Sequence, residues 1–260
     1  MKLSIISYSF NQLEKEGKSD VFTYLETVRY RFGLGMADIW NGSLKSLDAD
    51  YLRKVRDGLD ERGLALACFA IDQAHIWEDD AALRERNYRN ALANLRAAEI
   101  LVAQTVRLDC GGPRDKTEWS SEQFDAIARR YAEYVKHASD HGYRLGPENH
   151  WGPAMAPHSL KKLCQAIDHP SFGVLLHFER WHGSDAEKGD DLLAPWAMHT
   201  HISRLDPATI RPKMDALLAT GYKGVWSVEY VSTRYSELAL RLAMVRDVLE
   251  QWRTEGKSHQ

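Results

Sequence analysis

Short apolar segments alternate with longer amphipathic segments along the whole chain. Eight segments are short and rich in β-branched or aromatic residues, which favours strands: KLSIISY, MADIW, LALACFAI, TVRLD, YRLGPE, GVLLHF, MHTHIS and VWSVEY. The intervening segments have the apolar period of helices, at residues 21–31, 49–62, 81–102, 122–141, 158–167, 192–197, 208–220 and 236–253. In the last of them, Leu238, Leu242, Val245, Leu249 and Trp252 form a stripe that we expect to pack on the strands.

Eight strand–helix alternations in 260 residues are typical of a closed (β/α)₈ TIM barrel. The nucleotide-binding alternatives lose their usual support, because neither a GxGxxG after the first strand nor a GxxxxGK motif occurs. No Pro/Gly/Ser-rich linker or shift in composition divides the chain. The prediction is therefore a single α/β barrel domain over residues 1–260.

Charge and cysteine usage narrow the class of partner. The 34 basic and 37 acidic residues leave a net charge of −3, which supplies no broad positive surface for nucleic acid or an anionic membrane. Cys68, Cys110 and Cys164 stand singly, without the spacing of a zinc ribbon or a disulfide framework. With neither a signal peptide nor a membrane span in the pattern, we expect a soluble, cytoplasmic protein that acts on a small molecule.

Titratable side chains collect at the ends of the later predicted strands. In a TIM barrel, reactive groups lie at the carboxyl ends of the strands, so these positions indicate the site. Strand four ends in Asp109, strand five in Glu148, strand six in His177 and Glu179, strand seven in His199 and His201, and strand eight in Glu229.

A charge on a buried strand must be paired, neutralised or bound to metal, because an isolated buried charge is very costly. Carboxylates and imidazoles on four successive strands could meet at one divalent cation. Two carboxylates and two imidazoles suit Mn²⁺, Co²⁺, Fe²⁺ or Zn²⁺, whereas nitrogen donors disfavour Mg²⁺ and Ca²⁺. We expect one ion, with Mn²⁺ first among these.

The order of these motifs resembles that of the xylose isomerase-like barrels, a superfamily of sugar isomerases and epimerases that includes a DNA-repair endonuclease branch. The motifs are ENH after strand five, GVLLHF in strand six, HTH in strand seven and VEY after GYKGVW. The opening KLSIISYSF and the second-strand phrase GLGMADIWNG extend the resemblance over essentially the whole chain.

The resemblance implies a metal held by Glu, Asp, His and Glu from strands five to eight. Carried over, the ligands are Glu148, His177, His201 and Glu229. His177 stands where the family pattern has Asp, and Glu179 is the alternative ligand from that strand. The family's His three residues later is replaced by Arg180, with His182 close behind.

The resemblance also implies an activity. In the epimerase branch, two metal-bound glutamates move a proton on opposite faces of the substrate, which makes Glu148 and Glu229 the acid/base pair; His150 is a further catalytic candidate. The substrate-binding candidates are Trp40, His75, Asp109, Trp151, His182 and Arg204. Among them, the tryptophans could stack on a sugar ring, and the loop carrying His75 could cover the site.

Structural interpretations compete with these roles. The glutamates could form strand-end ion pairs with Arg107 or Arg204, and Asp109 could orient Arg107 instead of contacting the substrate. His201 and, more readily, His199 could be core histidines that hydrogen-bond to backbone carbonyls. The two tryptophans could be packing residues, and the His75 loop could be an ordinary solvated loop.

Other functions compatible with the sequence belong to different classes. A lyase that cleaves 3-keto-glycosides would use the same enolate chemistry and a separate proton donor such as His150 or His182. The endonuclease branch requires three zinc ions and a basic DNA-facing surface, which the net charge of −3 does not provide. A non-catalytic sugar-binding barrel, as a homo-oligomer or a partner subunit, stays open.

Overall fold

Parallel strands form the centre of the molecule, and each lies beside the next in chain order. The computed structural model describes residues 2–203 and 206–257, and within them the strands are β1 Leu3–Ile5, β2 Met36–Trp40, β3 Ala65–Ile71, β4 Thr105–Leu108, β5 Arg144–Gly146, β6 Val174–His177, β7 Ala197–His201 and β8 Trp226–Val228.

Hydrogen bonding follows the strand order around the barrel. Ladders join β2 to β3, β3 to β4 and β4 to β5, and further ladders join β6 to β7 and β8 to β1. Isolated bridges connect the remaining neighbours, at Ile6–Asp38, Leu145–Phe172, Glu148–Leu175 and Ile202–Val228. Because β8 returns to β1, the topology is that of the predicted (β/α)₈ barrel.

Helices cover the outside of the strands. They are α1 Asn11–Lys15, α2 Val21–Glu26, α3 Ala49–Glu61, α4 Ala81–Ile100, α5 Ser121–Asp140, α6 Pro157–Ile167, α7 Gly189–Leu193, α8 Pro207–Ala219 and α9 Tyr235–Thr254. Local sequence explains where the long ones begin. The Asp80 carboxylate accepts from two backbone N–H groups of α4, and Ser120 with Gln123 forms a capping box on α5. None of the described helices is long and apolar enough to cross a membrane.

Two of the local segments that differ from the sequence prediction lie next to a strand. The helix expected at 192–197 is α7, which ends at Leu193, followed by a 3₁₀ turn over Ala194–Trp196 that leads directly into β7. Pro195 explains this break, because it lacks the N–H that would continue the helical hydrogen bonds. The second segment is a 3₁₀ turn at Ser7–Phe10 with α1, which the sequence pattern did not predict.

The apolar faces of the helices pack against the outside of the strands. All five residues of the predicted stripe on α9 are buried, from Leu238 to Trp252. Cys68, Cys110 and Cys164 are buried free thiols. Inside the barrel lies a polar cluster, in which the Asp38 carboxylate accepts from Ser4 and Ser227 and lies 3.0 Å from His199 Nε2.

The transition from β5 to its loop depends on a close backbone approach. A Cβ atom at Gly146 would lie 1.7 Å from the carbonyl oxygen of Gly173, so only glycine fits there. The chain then stays against β6, where the Leu175 N–H donates to the Pro147 carbonyl at 2.9 Å. This contact places Glu148 at the carboxyl end of the barrel.

Candidate metal centre

Four side chains converge at the carboxyl ends of β5 to β8. Glu148 follows β5, His177 and His201 are the last residues of β6 and β7, and Glu229 follows β8. One ligand atom from each lies within 4.8 Å of the other three. Since each residue comes from a different strand, the tertiary fold alone brings the four together.

The distances suit a single cation. His177 Nδ1 lies 2.8 Å from Glu148 Oε1 and 3.8 Å from Glu229 Oε2. His201 Nδ1 lies 3.5 Å from Glu148 Oε1 and 2.9 Å from Glu229 Oε2. Ligand atoms bound to one ion at 2.0–2.2 Å stand roughly 3 to 4 Å apart. The donor set therefore fits a divalent ion without rearrangement of the backbone.

His201 provides an independent test of that fit. The side chain is fully buried, yet neither ring nitrogen forms a hydrogen bond with any described residue, and its 2.9 Å contact with Glu229 is an ion pair alone. Buried polar atoms normally have partners. A cation among the four side chains would supply one for Nδ1.

Electrostatics keeps the glutamates ionised. Burial raises the pKa of Glu148, but the charges of His150 and His201 outweigh it and hold that pKa well below its usual value. Burial also opposes ionisation of Glu229, yet the charge of His201 lowers its pKa to about 2. For His201, burial lowers the pKa, whereas the two glutamates raise it to about 10. A bound cation would replace the proton of His201.

Neighbouring groups hold His177 in place. Its Nε2 lies 2.8 Å from Ser203 Oγ, and Asn149 brackets its backbone: Oδ1 accepts from the His177 N–H at 2.7 Å, and Nδ2 donates to the His177 carbonyl at 2.8 Å. Such outer contacts orient a metal ligand. Glu179, the alternative from the same strand end, is exposed and lies 3.6 Å from Lys213 Nζ.

An ion network forms the neighbouring wall. Arg107 is buried, and its guanidinium lies 2.7 Å from Asp72, 3.2 Å from Asp109 and 3.3 Å from Glu148. Asp109 accepts from the Glu148 N–H at 3.1 Å and lies 2.9 Å from His150 Nδ1. Burial lowers the pKa of His150, but Glu148 and Asp109 raise it above its usual value. Asp109 thus contacts Arg107 and His150 and orients both.

Two adjoining cavities open at this end of the barrel. The inner one, about 210 Å³, is lined by Glu148, Glu229, His150, Arg107, Arg180 and Trp40. The outer one, about 310 Å³, is lined in part by His75, Trp151 and Glu78, and shares Asp72 and His150 with the inner one. A molecule larger than one sugar ring would therefore extend past His150.

The two tryptophan candidates differ in how much of the ring face is available to stack on a substrate. Trp40 donates from Nε1 to Asp72 at 2.8 Å and lines the inner cavity. The Trp151 ring is covered by the Arg114 guanidinium at 3.6 Å and contacts the His75 ring at 4.7 Å, so little of its face is free for stacking.

Two histidine candidates lie elsewhere. His182 is exposed and does not line either cavity. His199 lies inside the barrel, where it pairs with the Asp38 carboxylate and not with a backbone carbonyl. Arg204 lies outside the described residues.

Several residues of the site had no functional assignment from the sequence. Asp72 follows β3, so the strand-end rule that found the other carboxylates applies to it as well. Asn149, Ser203 and the inward direction of Arg180 had no comparable signal, because their contacts cross between strands.

The family model that describes the xylose isomerase-like TIM barrel matches residues 31–253. The chain belongs to this family. Among curated proteins, none matches the sequence significantly.

Solved structures share the fold at low identity. A D-tagatose 3-epimerase-like protein has a TM-score of 0.76 at 15% identity, over 98% of this chain and 99% of that chain. An L-ribulose 3-epimerase has a TM-score of 0.75 at 17% identity, over 98% and 96% of the two chains. The 3-keto-D-glucoside 4-epimerase from E. coli has a TM-score of 0.70 at 13% identity, over 98% and 99%. Two of these structural neighbours are named as sugar epimerases and one as an epimerase-like protein.

Proposed function

We propose that the protein is a divalent-metal-dependent sugar isomerase or epimerase, which moves a proton on a carbon next to a carbonyl. The observation that carries the proposal is the convergence of Glu148, His177, His201 and Glu229 beside a cavity. These four residues would hold the ion. We propose Mn²⁺, with Co²⁺, Fe²⁺ or Zn²⁺ as alternatives, since two nitrogen donors disfavour Mg²⁺ and Ca²⁺. When bound, such an ion polarises a carbonyl and stabilises negative charge on the substrate oxygens.

Glu148 and Glu229 are the proposed acid/base pair. Both line the inner cavity, and the lowered pKa of each keeps it ionised, which is the form that accepts a proton from carbon. Glu148 is held by its contacts with Arg107 and His177, whereas Glu229 is the more exposed of the two, at 18% of its side chain. One carboxylate would take the proton and the other would return it on the opposite face.

His150 is the proposed second acid/base group. Its Nδ1 lies 2.9 Å from Asp109, which fixes the ring and leaves Nε2 available to the cavities that the residue lines. In that position it can exchange a proton with a substrate hydroxyl or bind it. Trp40 offers a flat apolar surface for the sugar ring.

Exchange with solvent deuterium tests this function. The metal-replete protein is incubated in D₂O with a panel of ketopentoses and ketohexoses, and NMR follows deuterium entry next to the carbonyl. We expect exchange with at least one sugar and none after chelation. Glu229→Gln should slow exchange about 10²- to 10⁴-fold. Glu187→Gln, at an exposed glutamate, is the matched control.

The absence of stoichiometric divalent metal, together with activity that survives chelation, would contradict the proposal.

A lyase acting on 3-keto-glycosides is the second candidate, favoured by the outer cavity of about 310 Å³ beside His150. A leaving aglycone could occupy that cavity, and His150 could donate the proton to it. We expect the protein then to release aglycone from 3-keto-O- or C-glycosides, with His150→Gln slower than wild type by about 10²-fold. Intact glycoside after long incubation with metal-replete protein would rule this out.

A further inference from the structure

The turn after β6 directs Arg180 back into the barrel. Glu179, which precedes it, has a φ of 61°, a left-handed conformation that residues other than glycine rarely adopt. Asn149 stabilises the turn, since its Nδ2 donates to the carbonyls of both His177 and Arg180, at 2.8 and 3.2 Å. Backbone strain that neighbours hold in place is typical of functional positions.

The Arg180 guanidinium has few partners. One-third of the side chain is exposed, and it lines the inner cavity. Its Nη1 lies 3.2 Å from His177 Nδ1 and 3.7 Å from Glu148 Oε1, and its side chain has no other polar contact with a described residue. A guanidinium has five N–H donors, so most of those of Arg180 are available. Arg107, by contrast, is surrounded by three carboxylates.

The carboxylates around the cavity lie against groups other than Arg180, whose ion pair with Glu148 is long, at 3.7 Å. A divalent ion would balance the two negative charges of Glu148 and Glu229. Asp72 and Asp109 face Arg107 and His150. The carboxylates that line the site thus have partners other than Arg180, and a cationic side chain in a partly closed cavity favours an anionic ligand.

We propose that Arg180 binds a carboxylate of the substrate, so that the protein acts on an acidic keto-sugar of the hexuronate type. The inference rests on the proposed function and specifies its substrate class. A planar guanidinium pairs with a carboxylate through two parallel hydrogen bonds. One guanidinium with most of its donors available matches the single charge of a carboxylate, whereas a phosphate monoester carries close to two charges at neutral pH.

Three probes that share a carbon skeleton test the proposal by binding. Calorimetry with Mn²⁺-loaded protein compares D-fructose with D-fructuronate, which differs only in a carboxylate at C6, and with D-fructose 6-phosphate. We expect D-fructuronate to bind most tightly. Arg180→Gln should weaken D-fructuronate binding about tenfold to a hundredfold. Arg180→Lys retains the charge but loses the two parallel hydrogen bonds of the guanidinium, so it should weaken binding by less.

Matched controls separate this role from a structural one. Arg89→Gln removes the same charge at an exposed position of α4 and should leave D-fructuronate affinity unchanged. Metal content of Arg180→Gln should equal that of wild type, since Arg180 is not a ligand. The proposal is overturned if D-fructuronate fails to bind, if D-fructose binds as tightly, if the phosphate ester binds tightest, or if Arg180→Gln retains full affinity.

This failure and that of the proposed function look different. Rapid deuterium exchange with neutral ketoses, unaffected by Arg180→Gln, would refute the carboxylate subsite and leave the epimerase proposal intact. Tight, Arg180-dependent binding of D-fructuronate without any deuterium exchange on acidic or neutral sugars would support the carboxylate subsite and refute the epimerase proposal.

Discussion

The two sides of the barrel mouth use the same kinds of side chain in opposite ways. On the side of β2 to β4, Arg107 is surrounded by carboxylates, and Trp40 donates to one of them, Asp72. On the side of β5 to β8, the carboxylates and imidazoles crowd around one point, and His201 has no hydrogen-bond partner among the described residues. On the first side the protein itself supplies a positive charge for the carboxylates, whereas on the second a cation would supply the partner that His201 lacks among the described residues.

Glu148→Gln should have the largest effect, because Glu148 belongs to both sides. The variant loses a proposed metal ligand and half of the proposed acid/base pair, so we expect turnover to fall about 10⁴-fold and stoichiometric metal to be lost. Elemental analysis and the deuterium-exchange rate measure the two effects. Glu179→Gln, an exposed glutamate that contacts Lys213, should retain both; equal losses in the two variants would contradict the ligand assignment.

Arg107→Met should disrupt the ion network on the side of β2 to β4. It leaves buried Asp109 and its neighbour Asp72 without their counter-charge, which costs about 3 to 5 kcal/mol of unfolding free energy. Denaturant unfolding of the metal-free protein measures this. Arg89→Met, at an exposed arginine, should change the stability by no more than about 0.5 kcal/mol. Similar values for both variants would mean that the network contributes little.

Asn149→Ala should act on the metal side through its outer contacts. The variant loses the hydrogen bonds that hold the backbone of His177 and Arg180, so we expect about 2 kcal/mol lower stability and metal affinity weaker by about tenfold or more. Asn94→Ala is the matched control, since Asn94 is also buried and hydrogen-bonded but lies on α4. It should lower stability alone; weaker metal binding in both variants would indicate a global effect.

Trp40→Phe should have the smallest effect. The variant retains an aromatic surface but loses the 2.8 Å hydrogen bond to Asp72, which we expect to cost about 1 kcal/mol of stability. Metal content should be unchanged, because Trp40 lies on the other side of the mouth. Thermal or denaturant unfolding and elemental analysis check this, and a loss of metal would show that the two sides are not independent.

Much of the fold follows from local periodicity. The strands and the long helices lie where short apolar runs and amphipathic segments predict them, because burial on a strand or on one helix face requires those patterns. The exception at 192–197 has a local cause in Pro195, which cannot donate the backbone hydrogen bond that a helix over these residues would need.

The sequence predicted where the candidate site lies better than it predicted the contacts between the side chains there. The strand-end rule places Glu148, His177, His201 and Glu229 at one end of the barrel, and the tertiary structure brings them together. The same rule could not show that Asp38 pairs with His199 inside the barrel, since these residues are 161 positions apart. It also could not show that the Trp151 face is covered by Arg114.

The sequence by itself determined the barrel, its strand ends and the chemical types of the groups placed there, because periodicity and residue identity are local properties. Only the tertiary structure decided which of these groups form hydrogen bonds or ion pairs with one another and which keep donors or acceptors without a partner. Those contacts depend on barrel closure, on the close approach of β5 to β6 at Gly146 and on the turn at Glu179. Arg180 follows that turn back into the cavity, where the N–H donors that its neighbours leave available give it its proposed role.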